Sequence, residues 1–234
     1  MRVAMIVVVG SMMAFALNAP PAAAQAAAPQ QDADRKVAGG GITVPGWTGK
    51  EDAGNKQGLT VKDGKLAPEG SGFRLTTGPA ALYWNPANVG KGDFSVKATF
   101  TEAKQTINHP HPYGVFIGGS DLDGGAPNAL YCTAYRNGTY IVRMFSGGKR
   151  VDIVGRPVAN DAVKKAAADA PVVQDVQFTV RGDAVQCLIN GTAVWSGTKA
   201  DLTGAGKLPS TDGIVGIRVS HNADAVVTNF ALGK

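Results

Sequence analysis

The sequence predicts an all-β protein in which two antiparallel sheets pack face to face as a sandwich, with one short helix. Three observations predict it. Apolar residues alternate with polar ones at period two along several segments, glycine-centred turns join those segments, and only one stretch has the composition of a helix.

In chain order, Arg2 precedes an apolar run over residues 3–17, and small residues follow up to Ala22, Ala23 and Ala24 before Gln25. This pattern is a secretory signal over residues 1–24, too short and wrongly flanked for a membrane span. No cysteine follows it for lipid attachment, so a periplasmic or secreted chain with no membrane span after signal removal is expected. Residues 25–36 mix Ala, Gln, Pro and Asp without periodicity and predict a disordered leader. Residues 37–234 then form one β-sandwich domain. The formal charge of +5 loses Arg2 with the signal, leaving +4 on scattered cations, which points to no nucleic-acid partner.

Within the domain, Phe94, Val96, Ala98 and Phe100 share one face of a strand, as do Val176, Phe178 and Val180 of another and Val185, Cys187 and Ile189 of a third. Asn190-Gly191 predicts a type I′ hairpin with Ile189 opposite Thr192, Cys187 opposite Val194, and Gln186 and Trp195 on the other face. Asn137-Gly138 predicts a second, pairing Tyr135 with Tyr140, Thr133 with Val142 and Tyr131 with Met144. The three tyrosines then share a face, and Leu130, Cys132, Ala134, Ile141 and Phe145 make the core face, with Arg143 intruding. Residues 213–220 and 225–232 add two short strands. The helix is expected over residues 162–168, capped by Asn160 or Asp161.

Cys132 and Cys187 both fall on core-facing positions. In an exported protein they are either a disulfide or two buried thiols.

The order of an alternating strand, Arg181-Gly182-Asp183, a strand ending Ile189-Asn190-Gly191, then Val215-Gly216-Ile217 and Thr228-Asn229-Phe230 resembles the concanavalin A-like lectin/glucanase jelly roll, as used by laminin G-like modules. Gly46-Trp47, the run from Val61 to Leu66 and Gly92-Asp93-Phe94 resemble, within it, the bacterial 3-keto-disaccharide hydrolase-like group. The resemblance covers nearly the whole mature domain and rests mostly on turn and core residues. It implies a jelly-roll sandwich and a glycan-related role. The Glu-x-Asp-x-Glu and Glu-x-Asp-x-x-Glu motifs of the glucanases in that fold are missing; the chain's three glutamates are Glu51, Glu69 and Glu102.

Chemistry is crowded in one segment, residues 109–123. His109 and His111 point the same way on an extended chain, and Asp121 and Asp123 share that spacing beyond a short apolar run. These four could hold a divalent cation, against which stand the proline-stiffened His-Pro-His-Pro approach and ordinary Asp-Gly turn chemistry. No cofactor is expected. Tyr131, Tyr135 and Tyr140, with Tyr113 and Trp84 nearby, could form a flat surface for sugar rings, and Arg136 and Arg143 could supply forked donors. His221 reads as a solvated loop residue. The expected function is an exported carbohydrate-binding or structural module, its partner a saccharide or cell-envelope glycan. The alternatives are a hydrolase of keto-disaccharides, with His109 or His111 as base and Asp121 or Asp123 as its partner, and an envelope protein-interaction domain.

Overall fold

The computed structural model describes residues 32–54, 57–105 and 109–234. The expected signal, and the leader up to residue 31, lie outside the described residues. A compact unit runs Ala33–Lys234. Its strands in chain order are β1 (Gly41–Ile42), β2 (Thr48–Glu51), β3 (Lys65–Glu69), β4 (Gly72–Thr76), β5 (Ala81–Gly90), β6 (Phe94–Glu102), β7 (Tyr113–Ser120), β8 (Asn128–Ala134), β9 (Thr139–Ser146), β10 (Lys149–Ala159), β11 (Val172–Arg181), β12 (Ala184–Ile189), β13 (Thr192–Thr198), β14 (Gly213–Val219) and β15 (Asp224–Gly233). They form an eight-stranded sheet, β1-β3-β4-β15-β6-β11-β12-β13, and a seven-stranded sheet, β10-β9-β8-β7-β14-β5-β2. Among the described residues, only β1 and β3 pair in parallel.

The alternating segments bury the faces their pattern predicts. Phe94, Val96 and Ala98 of β6 stand opposite Val180, Phe178 and Val176 of β11, and all six are inside the sandwich. From the other sheet come Tyr113, Val115 and Ile117 of β7, Leu130, Cys132 and Ala134 of β8, and Val215, Ile217 and Val219 of β14. Cys132 is bonded to Cys187 across the core, joining β8 of one sheet to β12 of the other. The seven-stranded sheet also buries its second face, where Leu82, Trp84, Phe116, Leu122, Ala129, Tyr131 and Phe145 cluster. Among the described residues, no helix is long and apolar enough to cross a membrane.

The two Asn-Gly hairpins differ. At Asn190-Gly191 both residues have positive φ, 50° and 83°, as a type I′ turn requires, and Ile189 faces Thr192. A bulge at Val194 then shifts the register, so that Cys187 faces Trp195 and not Val194. The carbonyl of Val194 accepts a hydrogen bond from Tyr140 Oη, 2.6 Å, across the sandwich. At Asn137-Gly138 only the glycine has positive φ, 86°. The loop there is three residues, with Tyr135 N–H donating to the carbonyl of Thr139, and Asn137 Oδ1 accepts from Thr139 N and Oγ1. One extra loop residue slips β9 by one position and exchanges its faces. Tyr131 therefore faces Arg143, Cys132 faces Val142 and Ala134 faces Tyr140. Tyr140, Val142 and Met144 enter the core, in place of the expected Ile141 and Phe145, and Arg143 leaves it.

Two further expectations are corrected. Residues 162–168 form turns and no helix. Asn160 does cap, its Oδ1 accepting from Ala162 N at 2.9 Å, but the segment is pulled off a helical path. Val163 is buried in the core, and the carbonyls of Ala167 and Ala170 accept hydrogen bonds from Arg136 Nη2. The α-helix is instead Lys199–Leu202, whose Thr198 and Asp201 form a capping box. Residues 33–36 are part of the folded unit, unlike the expected disordered leader. Arg35 donates to the carbonyls of Thr77, Asn222 and Ala223, and Val37 N–H to that of Asp63.

Candidate functional site

The seven-stranded sheet carries one buried charge on its second face. Arg218 of β14 forms a bidentate pair with Asp52, in the loop after β2, at 2.5 and 2.6 Å. Its guanidinium lies 5.0 Å from the ring centroid of Tyr131 and 5.3 Å from that of Phe145. Burial disfavours the Arg218 charge, but the Asp52 carboxylate more than offsets this and leaves its pKa raised.

Around that pair the surface is concave. A cleft of about 350 Å³ is lined by Lys50, Glu51, Asp52, Thr60, Gly124 and Pro127. A depression of about 200 Å³ shares Asp52, Ala53 and Gly54 with it and reaches Asp34 and His221. Leu82, Leu122 and Phe145 add an apolar wall on the inner side. Glu51 is held by the 3-10 turn Val61–Asp63, since Val61 N–H donates to its Oε2 at 3.1 Å. The site thus combines an apolar wall with a rim of charged groups. A larger groove of about 720 Å³ lies over Lys97, Thr99, Asp175 and Asn229 on the other sheet. Within it Asp175 accepts from Thr99 at 2.6 Å, and Asn229 donates to Thr99 at 3.2 Å.

The expected aromatic platform does not assemble. Tyr113 is inside the core, stacked on Phe100 at 4.9 Å. Tyr140 faces the core, Tyr135 is half-buried beside the hairpin turn, and Tyr131 is buried on the opposite face from Tyr140. Trp84 is buried as well. Arg136 is no ligand donor at all: it is 1% exposed and pairs with buried Glu102 at 3.0 Å. Burial pushes the Glu102 carboxyl above its usual range despite that pair. Arg143 stays on the face of Tyr131, tied to Asp152 at 2.7 Å and to the carbonyl of Gly155 at 2.6 Å.

The divalent-cation set of His109, His111, Asp121 and Asp123 does not assemble either. The eight residues of β7 hold the two pairs roughly 25 Å apart. Asp121 serves a turn, with φ of 50° and its carboxylate accepting from Ala126 N; Asp123 is exposed in the same turn. The proposed histidine–aspartate acid–base partnership is separated with it. His109 and His111 meet His221 instead, with ring centroids 4.6 Å apart for His109 and His111 and 4.4 Å for His111 and His221. The cause is sheet pairing. Val219 of β14 stands opposite Tyr113 of β7, and Ser220 N–H donates to the carbonyl of Pro112, so the loop entering β7 and the loop leaving β14 lie side by side. Sequence alone gives no sign that these strands are neighbours, and His221 is therefore invisible as a partner. Asp52 and Arg218 are missed for the same reason, being 166 positions apart.

No protein-family model matches the chain, and no curated protein matches it. Among solved structures, the carbohydrate-binding module CBM66 from Bacillus subtilis is similar with a TM-score of 0.55 at 13% identity, covering 81% of this chain and 96% of that one. A protein of unknown function with a galectin-like fold, also from Bacillus subtilis, is similar with a TM-score of 0.53 at 15% identity, covering 80% of this chain and 88% of that one. Two sheets of this order, together with these likenesses, give the chain the concanavalin A-like jelly-roll fold.

Proposed function

We propose that the chain is an exported carbohydrate-binding module that takes a saccharide of the cell envelope or its surroundings in the cleft beside Asp52. One observation carries this reading: a cleft of about 350 Å³ with a charged rim and an apolar wall opens where the buried Arg218–Asp52 pair is fixed. Such a combination suits a sugar, whose C–H faces pack on apolar groups while its hydroxyls bond to carboxylates and ammonium groups. The fold shared with a carbohydrate-binding module supports it. Export is supported by the signal-like first 24 residues and by a disulfide across the core. The keto-disaccharide hydrolase alternative draws no support from its acid–base segment, whose members stand at opposite ends of β7.

The test is a glycan array followed by calorimetric titration of the selected saccharide. Lys50→Ala and Glu51→Gln each remove one charged rim group and should weaken binding by about 10- to 100-fold. Val173→Ala, on an exposed position of the other sheet, should leave it unchanged. An array with no selective signal, or native affinity retained in both rim variants, would overturn the assignment.

A further inference from the structure

All three histidines of the chain converge at one end of the sandwich, although 110 positions separate the second from the third. His109 is exposed, His111 is buried at 7% exposure, and His221 is intermediate. One ring nitrogen from each lies within 4.8 Å of those of the other two. Nitrogens of three imidazoles are thereby gathered in one place, the donor type that transition metals of the zinc class take.

We propose that His109, His111 and His221 bind a divalent transition-metal ion of the zinc class. Three features beyond proximity support this site. His221 Nδ1 lies 2.7 Å from Asp34 Oδ1; with the proton on Nδ1 this is the carboxylate–histidine arrangement that fixes a ligating ring and leaves Nε2 to a metal. His111 Nδ1 lies 3.4 Å from Ser220 Oγ, so Nε2 is the nitrogen that both rings would offer. The backbone is stiff, because Pro110 and Pro112 flank His111 and Ser220 N–H bonds to the carbonyl of Pro112 at 2.9 Å.

The ligand chemistry selects the metal. Imidazoles suit zinc, copper, nickel and cobalt, whereas calcium and magnesium demand oxygen ligands. With metal–nitrogen bonds of about 2.0–2.1 Å, tetrahedral geometry brings ligand nitrogens to about 3.3 Å, so the rings close by about 1.5 Å from the spacing seen. The depression lined by His221 and Asp34 adjoins the histidines.

The test uses the untagged full chain, stripped with a chelator and titrated with zinc against a chromophoric competitor, with no saccharide present. One equivalent should bind, and cobalt in place of zinc should give the intense visible bands of a tetrahedral nitrogen site. His221→Ala and His109→Ala should abolish the cobalt bands, and Asp34→Asn should weaken zinc by about 10- to 100-fold. His111 is buried, so the variants are made at His109 and His221. Zinc bound equally by His109→Ala and His221→Ala, or no stoichiometric binding by the native chain, overturns the proposal. Because the titration contains no sugar, its outcome stands apart from that of the glycan array.

Discussion

Replacing Cys132 and Cys187 together by alanine should cost the protein about 4 kcal/mol. The bond closes a loop of 55 residues. In the chain-entropy account, closing that loop removes about 14 cal/mol/K from the unfolded ensemble, which is about 4 kcal/mol at 25 °C. Both cysteines are fully buried, and the bond ties one sheet to the other. For a domain of this length, each kcal/mol moves the melting temperature by about 2–4 °C, and the double variant should melt about 8–16 °C lower. Differential scanning calorimetry of both proteins reads this directly. A companion measurement is thiol release in mild reductant: with no sulfur exposed, reduction should wait for global opening and proceed at the unfolding rate. A double variant melting within about 2 °C of the native chain, or fast reduction of the folded protein, would refute the assignment of the two sheets' tie to this bond.

Arg136→Met should destabilise the chain by about 3–5 kcal/mol, since it strands buried Glu102 and releases the carbonyls of Ala167 and Ala170. Because burial already raises the Glu102 pKa, the deficit should shrink as pH falls and the carboxyl takes up a proton; chemical denaturation at several pH values checks this, and a pH-independent deficit would count against it. All five tyrosines have raised pKa values, burial being the largest cause. Their contribution to stability is complete below the unfolded value near pH 10 and is lost as pH rises through the folded values. Phenolate absorbance should therefore appear together with loss of β-sheet circular dichroism in alkaline titration, and phenolate forming in a protein that stays folded would contradict the burial described.

Much of the fold was legible in local pattern. The inward faces of β6, β11 and β12 follow from alternation, and the core residues of β8 from theirs, because side-chain direction along a strand is fixed by the pleat. The reversal of β9 depended on one backbone angle. Asn137-Gly138 has the same letters as Asn190-Gly191, yet Asn137 keeps a negative φ while its side chain caps Thr139, and that choice reversed β9 and dissolved the tyrosine platform. Arg136 and Arg143 looked alike as donors; only tertiary packing makes one a buried partner of Glu102. The candidate site was least legible. Lys50, Glu51 and Asp52 sit in an ordinary polar stretch, and nothing near them in sequence announces Arg218 or His221.

The place of β15 bears on how the chain is made. It lies between β4 and β6, so a strand made after all the others described is an interior rung of the eight-stranded sheet and not an addition to its edge. Until residues 224–233 leave the ribosome, β4 and β6 lack the partner that joins them, and β1, β3 and β4 have no link to the rest of their sheet. Folding of that sheet must thereby wait for residues 224–233, and a nascent chain halted before residue 224 would present two open strand edges to its neighbours.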